Sequence, residues 1–211
     1  MTLRTKEPST QIYFVRHGKT DYPSNRIYCD DQENPVLNEE GVLQAEAMAQ
    51  YFAGLKVRRL MASPAARTWA TAAAIARVVG LACEPAPWLT ERRYGAWEGM
   101  FIDEIQRQFP DEHRAWKAAP VQYTPPQGEQ LADLRARLLG GLHGLIERHR
   151  GEAIILVTHV GPIRALIAEA FGVPLEQSRQ LHVDYASITK IDYGAQRNNF
   201  IFMNHVCYKK L

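Results

Sequence analysis

The chain has 211 residues, 46% of them hydrophobic and 23% charged, the make-up of one globular domain able to bury a substantial core. Its 25 Lys and Arg nearly balance 23 Asp and Glu, so no overall field marks a nucleic-acid partner or an acidic membrane. The three cysteines, Cys29, Cys83 and Cys207, have neither zinc nor redox spacing. Together with a polar stretch from Met1 to Thr10 and no apolar run of membrane-spanning length, they predict a cytoplasmic protein with reduced thiols.

The first element is Gln11-Ile12-Tyr13-Phe14-Val15, a run of apolar, aromatic and β-branched residues that reads as a short buried strand. It switches abruptly to Arg16-His17-Gly18-Lys19-Thr20. In open α/β sheets ligands bind beyond the carboxyl ends of the strands, so Arg16 and His17 stand where a substrate is met, and Gly18 lets a backbone come close. The polar stretch from Asp21 to Pro35 reads as a loop bordering that end. Asn38 can cap a helix running to about Ala53, whose residues Val42, Ala45, Ala49 and Phe52 recur at helical spacing and predict a core face.

Leu60-Met61-Ala62 predicts a second strand, and Ser63-Pro64 an N-cap with proline in the first helical position of a helix from Pro64 to Val79. Arg67 falls in the first turn, where free amides and the helix dipole favour an anion, although the same position suits a solvent-facing arginine. Between Trp88 and Met100, glycines frame a segment dense in aromatics and charges. Both Glu91 and Glu98 in it are candidate acid/base groups, and position alone does not choose between them. Two short helical patterns flank Pro110, and three prolines fall between Pro120 and Gln127. That composition predicts a lid insertion at about residues 100–127 rather than a layer of the core.

Leu131, Leu134, Leu138, Leu142 and Leu145 place a helix between Glu129 and Arg150, in which Gly140 and Gly144 predict close packing against another backbone. His143 and His149 read as ordinary helix residues. Ala153-Ile154-Ile155-Leu156-Val157 is the strongest buried-strand pattern, and Thr158-His159-Val160-Gly161-Pro162 follows it, so a second histidine stands at a strand end. A helix from Pro162 to Phe171 and strands at Ser187–Asp192 and Asn199–Asn204 complete the pattern. Strands alternating with helices predict a three-layer α/β/α sandwich with a mostly parallel central sheet, forming one domain over residues 1–211.

Two histidines at strand ends, with Arg16 and Arg67 nearby, describe a concave site rich in positive donors, and phosphate suits it. Arginine offers a planar fork to phosphate oxygens, and a neutral imidazole nitrogen can act as the nucleophile. No ligand pattern for a metal accompanies these groups, and a zinc pair on His17 and His159 finds no convincing further ligands.

Arg16-His17-Gly18-Lys19-Thr20, Ser63-Pro64-Ala65-Ala66-Arg67-Thr68, Glu91 with Gly95-Ala96-Trp97-Glu98-Gly99, and Thr158-His159-Val160-Gly161 resemble the four signature blocks of the histidine phosphatase superfamily, in the same order. The resemblance implies a phosphoglycerate mutase-like fold and a metal-independent phosphomonoesterase of the histidine acid phosphatase type, without a cofactor. By it, His17 carries the phosphoryl group as phosphohistidine, Arg16, Arg67 and His159 hold its oxygens, and Glu91 is the proton donor and then the base. Incoming phosphate would raise the Glu91 pKa, while Arg92 and Arg93 would lower it. Thr20, Asn25, Arg92 and Tyr94 become the substrate-side candidates. Asn25 enters because Pro23 stands where members often have asparagine, and Cys29-Asp30 lies near the place of a usual Gln-Gly. Gly128-Glu129-Gln130 resembles the Gly-Glu-Ser that precedes the family's long helix.

The implied partner is a small phosphorylated metabolite, not nucleic acid or membrane; oligomeric state, a homo-oligomer included, stays open. Trp97-Glu98-Gly99 is phosphatase-like. Glu91-Arg92-Arg93-Tyr94-Gly95 resembles the mutases, so phosphoglycerate mutase-type transfer is the alternative, although the stretch from Glu91 to His159 is short for the mutases' insert. A catalytically silent phospholigand-binding protein is the third reading.

Overall fold

The computed structural model describes residues 8–28 and 33–208, so Cys29, Asp30 and most of the N-terminal stretch lie outside the described residues. Twelve main elements follow in chain order: β1 (Thr10–Arg16), α1 (Glu39–Ala49), β2 (Val57–Ala62), α2 (Ala66–Val79), β3 (Cys83–Pro85), α3 (Ile102–Gln108), α4 (Pro110–Ala118), α5 (Leu131–Arg148), β4 (Ala153–Thr158), α6 (Val160–Phe171), β5 (Ile188–Tyr193) and β6 (Asn198–His205). The strands form one sheet in the order β3-β2-β4-β1-β5-β6. Neighbours among β3, β2, β4 and β1 are parallel, whereas β5 and β6 add on antiparallel.

Alternation along the strands sends side chains to two cores, one on each face of the sheet. Ile12, Phe14, Ile154, Leu156 and Ile191 meet Leu134, Leu138, Leu142 and Leu145 of α5 and Ile163 and Leu166 of α6. On the opposite face Tyr13, Val15, Leu60, Ile155, Val157 and Ile188 meet Ala45 and Met48 of α1, Phe52, and Ala72 and Ile75 of α2. This is the expected three-layer α/β/α sandwich. β1 and β4 read as near-continuous apolar runs because both their faces are covered.

Local expectations fail in instructive places. Asn38 caps α1 through the Gly41 amide at 2.8 Å, but Val42 is exposed and the buried face runs through Gly41, Gln44, Ala45 and Met48. The reason is the approach of α1 to the end of β1: a Cβ on Gly18 would overlap the Gly41 carbonyl, and one on Gly41 would overlap Lys19. The backbone that Gly18 admits is therefore that of α1. In α5 the tightly packed glycine is Gly141, which lies against the ring of Trp88, while Gly140 faces open space and Gly144 meets only the Arg148 side chain. α2 starts at Ala66, with no cap from Ser63, and α6 starts at Val160, two residues before Pro162.

The stretch from 100 to 127 holds α3 and α4 and ends near a cluster in which the fully buried Trp97 packs against Phe109, Trp116 and Tyr123. Among the described residues, no helix is long and apolar enough to cross a membrane, and Cys83 and Cys207 are free thiols.

Candidate active site

Three adjacent strand ends build the site. β1 and β4 run in register, with Arg16 beside Thr158, and β2 pairs Ala62 with Val157. The chain leaving each strand therefore emerges at one edge of the sheet, and the His17 amide still donates to the Thr158 carbonyl at 3.1 Å. His17 and His159 are brought within 5.3 Å of each other, ring centre to ring centre.

Arg67, in the first turn of α2 and 1% exposed, links them: its Nε donates to His17 Nε2 at 3.3 Å and an Nη donates to His159 Nδ1 at 2.9 Å. Arginine has no acceptor, so His159 Nδ1 carries the lone pair and its Nε2–H donates to Ser63 Oγ at 2.9 Å. Ser63 misses its capping role because the cap position of α2 is Ala65, two residues on, and the Ser63 hydroxyl accepts from His159 instead. On His17 the tautomer is set by Gly18, whose carbonyl accepts from Nδ1 at 2.7 Å and leaves the lone pair on Nε2. Burial, with the positive charges of Arg67 and Arg16 next in order, holds the His17 pKa well below its ordinary value. Burial and Arg67 do the same for His159. Both rings are thereby kept neutral around a fixed guanidinium. A cation seated between the two rings also opposes a zinc ion there, and among the described residues no cluster of three or more His, Cys, Asp or Glu is arranged to hold a metal.

Arg16 donates to the Val183 carbonyl at 2.6 Å and lies over the Tyr185 ring at 3.8 Å, while its buried Nε has no partner. A buried donor without an acceptor is costly, and an anion would satisfy it.

Glu91 is held by two amides. Oε1 accepts from its neighbour Arg92 at 2.9 Å, and Oε2 accepts from Gly161, near the start of α6, at 3.2 Å. Burial raises its pKa, against the opposing pull of those two amides and of Arg67 and Arg16. The expectation that the Arg92 and Arg93 side chains pull this carboxyl down is corrected: the Arg92 amide acts on it, and Arg93 is exposed.

The substrate-side candidates separate. Thr20 is buried and shares a hydrogen bond of 2.9 Å with the Tyr28 hydroxyl, and the Tyr28 ring lies 4.4 Å from the Arg67 guanidinium. Tyr94 lines a cavity with Glu91, and burial and Glu91 raise its pKa. Asn25 is exposed in a turn, where its carbonyl accepts from the Ile102 amide at 2.9 Å. Arg92 departs furthest from expectation. Its buried guanidinium donates to the carbonyls of Val121, Tyr123 and Glu129 at 3.0–3.1 Å, so most of its donors are spent on backbone, although the side chain also lines the cavity at Glu91.

Sequence reasoning missed Arg137 and Glu129. Arg137 reaches back from α5 to the carbonyls of Trp88, Thr90 and Glu91 at 2.8–3.0 Å and pairs with the buried Glu129 at 2.5 Å. The signal available was Gly128-Glu129-Gln130 just before the helix. A larger cavity of about 420 Å³, walled by α5, α6 and the end of β5, shares no lining residue with the cavity at Glu91.

A doubly wound sheet with two neutral histidines, two buried or stacked arginines and a backbone-held carboxyl at one edge defines an α/β protein whose donors suit phosphate oxygens. A sequence profile of the histidine phosphatase superfamily (branch 1) matches residues 12–206, and the chain belongs to that superfamily. It is similar to phosphoserine phosphatase 1 of Hydrogenobacter thermophilus, 28% identical over 94% of this chain and 93% of that protein. The protein named "Probable phosphoglycerate mutase GpmB" of Cronobacter sakazakii is 30% identical, over 87% of this chain and 85% of its own length. Mycobacterial relatives, among them the bifunctional protein Rv2228c of Mycobacterium tuberculosis, are 33% identical over 88% of the chain, which spans about half (51%) of their length. Among solved structures, Bacillus stearothermophilus YhfR superposes with a TM-score of 0.84 at 26% identity, covering 93% of this chain and 98% of that one. The alpha-ribazole phosphatase of Shigella flexneri shares the fold with a TM-score of 0.84 at 22% identity, over 95% and 100% of the two chains.

Proposed function

We infer that the chain is a phosphatase that hydrolyses a small phosphomonoester through a phosphohistidine on His17. The observation that carries this reading is the hydrogen bond from His17 Nδ1 to the Gly18 carbonyl, which leaves a neutral ring with its lone pair on Nε2 beside Arg67. In the first step that lone pair attacks phosphorus, the P–O ester bond breaks, and the leaving oxygen takes the Glu91 proton. In the second, the Glu91 carboxylate takes a proton from water as the water oxygen attacks phosphorus and the P–N bond breaks, returning neutral His17 and free phosphate. Arg67 trades its weak contact with Nε2 for a phosphate oxygen, and the unpartnered Nε of Arg16 supplies another donor. His159 holds Arg67 in place through Nδ1 until a phosphate dianion draws that arginine donor away, after which the freed Nδ1 is easier to protonate as a further donor.

Relatives whose names carry phosphatase activity support this reading, and the chemistry calls on no metal or cofactor. Mutase-type transfer is supported by the relative with a mutase name, but the Arg92 guanidinium it would call on is largely spent on the carbonyls of Val121, Tyr123 and Glu129. The test is turnover of p-nitrophenyl phosphate in the presence of a chelator, with acid-quenched protein probed for phosphohistidine by mass spectrometry. Wild type is expected to release phosphate and carry one acid-labile phosphate on the peptide containing His17, and His17→Ala to do neither. A His17→Ala protein that still turned over and still formed an acid-labile phosphoenzyme would overturn the assignment.

A further inference from the structure

The cavity beyond Glu91 has a volume of about 240 Å³, below the range of roughly 300–1,000 Å³ typical of drug-sized ligands, so it suits a compact group. It touches Glu91 and Gly161, whereas His17 and Arg67 do not line it. It therefore lies on the side of the leaving oxygen, where the alcohol half of a phosphomonoester would sit.

Three arginines line it, and one of them, Arg92, already donates to the carbonyls of Val121, Tyr123 and Glu129, which leaves two others to meet a ligand. Arg164, on α6 one turn beyond Gly161, is fixed by a hydrogen bond from Nε to the Leu181 carbonyl at 2.8 Å. Arg179 is exposed and also lines the cavity, from the 3-10 helical turn Leu175–Gln180. Arg26, Arg59, Arg135 and Arg137 each pair with a carboxylate, but among the described residues neither Arg164 nor Arg179 has an acidic group within ion-pair distance. Burial lowers the Arg164 pKa and the charges of Arg16 and Arg179 add to the effect, with Glu91 and Tyr94 opposing. The wall is thus a site of uncompensated positive charge. Tyr94 and Ser178 complete its polar lining.

Resting on the phosphatase reading, we propose that the alcohol half of the substrate is compact and carries its own anion, a carboxylate or a second phosphate, which Arg164 and Arg179 bind across the cavity from Glu91. A neutral or apolar alcohol filling the same space would take water from the half-buried Arg164 without supplying an anion in its place, and a site built to pair a charge rejects the analogue that lacks it. Arginine's fork accepts either anion in two-pronged fashion, so the chemistry of the wall is common to both.

The test compares kcat/KM for three esters of one chain length: propyl phosphate, the phosphate ester of 3-hydroxypropionate, and propane-1,3-diol bisphosphate, with p-nitrophenyl phosphate as a generic substrate. At least one of the two anionic esters is expected to exceed propyl phosphate by about tenfold or more, the scale of one charge-assisted hydrogen bond, and which one does so tells carboxylate from phosphate. Arg179→Gln and Arg164→Gln should collapse that ratio toward one, and Arg179→Lys should keep part of it. Arg179 is exposed, so its variants test the proposal even if Arg164→Gln does not fold. A ratio near one in wild type, with the aryl phosphate turned over, overturns this proposal and leaves the phosphatase reading standing, as does a wild-type ratio that survives in Arg179→Gln. No turnover of any ester, the aryl phosphate included, overturns the phosphatase reading and this proposal with it.

Discussion

Gly161 has hydrogen at its α-carbon because Glu91 is there: its amide donates to Oε2 at 3.2 Å, and a Cβ in that place would overlap Oε1. The carboxyl is thus positioned by the first turn of α6, two residues after His159, and burial keeps its pKa above the ordinary carboxylate value. Gly161→Ala should displace it. General acid catalysis is worth about 10²- to 10⁴-fold, so Gly161→Ala and Glu91→Gln should both lose activity on that scale with alkyl phosphates and much less with p-nitrophenyl phosphate, whose leaving group needs little protonation. Because the acid works only while protonated, kcat/KM should fall as pH rises through the raised Glu91 pKa, and Glu91→Gln should lack that limb. Equal losses on both leaving groups, with the limb retained, would assign Glu91 a structural part instead.

His17 must be neutral to attack, and the acid limb of kcat/KM reports its proton. Burial comes first among the causes that hold its pKa well below the ordinary histidine value, and Arg67 comes next. Arg67→Met removes that charge, so the His17 pKa should rise and the acid limb should move to higher pH. Loss of a donor to the transferring phosphoryl should lower kcat by roughly 10²- to 10³-fold as well. An Arg67→Met profile with the wild-type acid limb would show that the two side chains are not coupled.

Arg137 acts through the segment it holds. Arg137→Met releases the carbonyls of Trp88, Thr90 and Glu91 and leaves the Glu129 carboxylate buried without its partner. Breaking a buried pair costs about 3–5 kcal/mol, and the partial exposure of Arg137 places this one at or below the lower end. Thermal unfolding should therefore occur several degrees lower in Arg137→Met, and adding Glu129→Gln should recover part of the loss by removing the stranded charge. Activity on alkyl phosphates should fall more than on p-nitrophenyl phosphate, since Glu91 is the group mispositioned. A double variant less stable than Arg137→Met would contradict the pairing.

What was legible in the sequence is what a local pattern encodes. β1 and β4 announce themselves because strands covered on both faces are apolar throughout, and Arg16, His17 and His159 follow directly at their ends. Arg67 was ambiguous alone, since a first-turn arginine faces solvent or ligand equally well until the strands beside it are placed. Ser63 misled because a serine before proline looks like a cap, yet α2 starts only at Ala66 and the fold sets the Ser63 hydroxyl against the His159 ring. Val42 misled for a related reason: α1 is rotated to set Gly41 against the end of β1, and periodicity does not see a backbone contact. Arg137 was one arginine among several on an amphipathic helix, and its partners are carbonyls about 46–49 residues away. Arg92 matched a family tripeptide, yet the direction of its side chain is decided by the carbonyls of Val121, Tyr123 and Glu129, about 30–40 residues on and marked by no local pattern.

Hydrolysis and transfer differ in how long water is kept from the phosphohistidine. A mutase must hold its phosphoenzyme while the substrate reorients, which requires a closed cover over the whole reacting centre. The segment expected to form such a cover holds α3 and α4, seven and nine residues long, none of whose residues lines the cavity at Glu91, and its anchorage is to its own flank: Arg92 grips the carbonyls of Val121 and Tyr123, and Trp97 packs among Phe109, Trp116 and Tyr123. The cavity at Glu91 has the exposed Arg179 in its lining, so it reaches solvent, and water entering it would meet the carboxyl proposed as the base. Free phosphate should therefore appear at nearly the rate at which substrate disappears. Incubation with 3-phosphoglycerate and a trace of 2,3-bisphosphoglycerate, followed by phosphorus NMR, separates the outcomes. Inorganic phosphate should grow while 2-phosphoglycerate stays a minor signal. Rapid conversion to 2-phosphoglycerate with little inorganic phosphate would establish transfer, and would mean that a lid this small excludes water once substrate is bound.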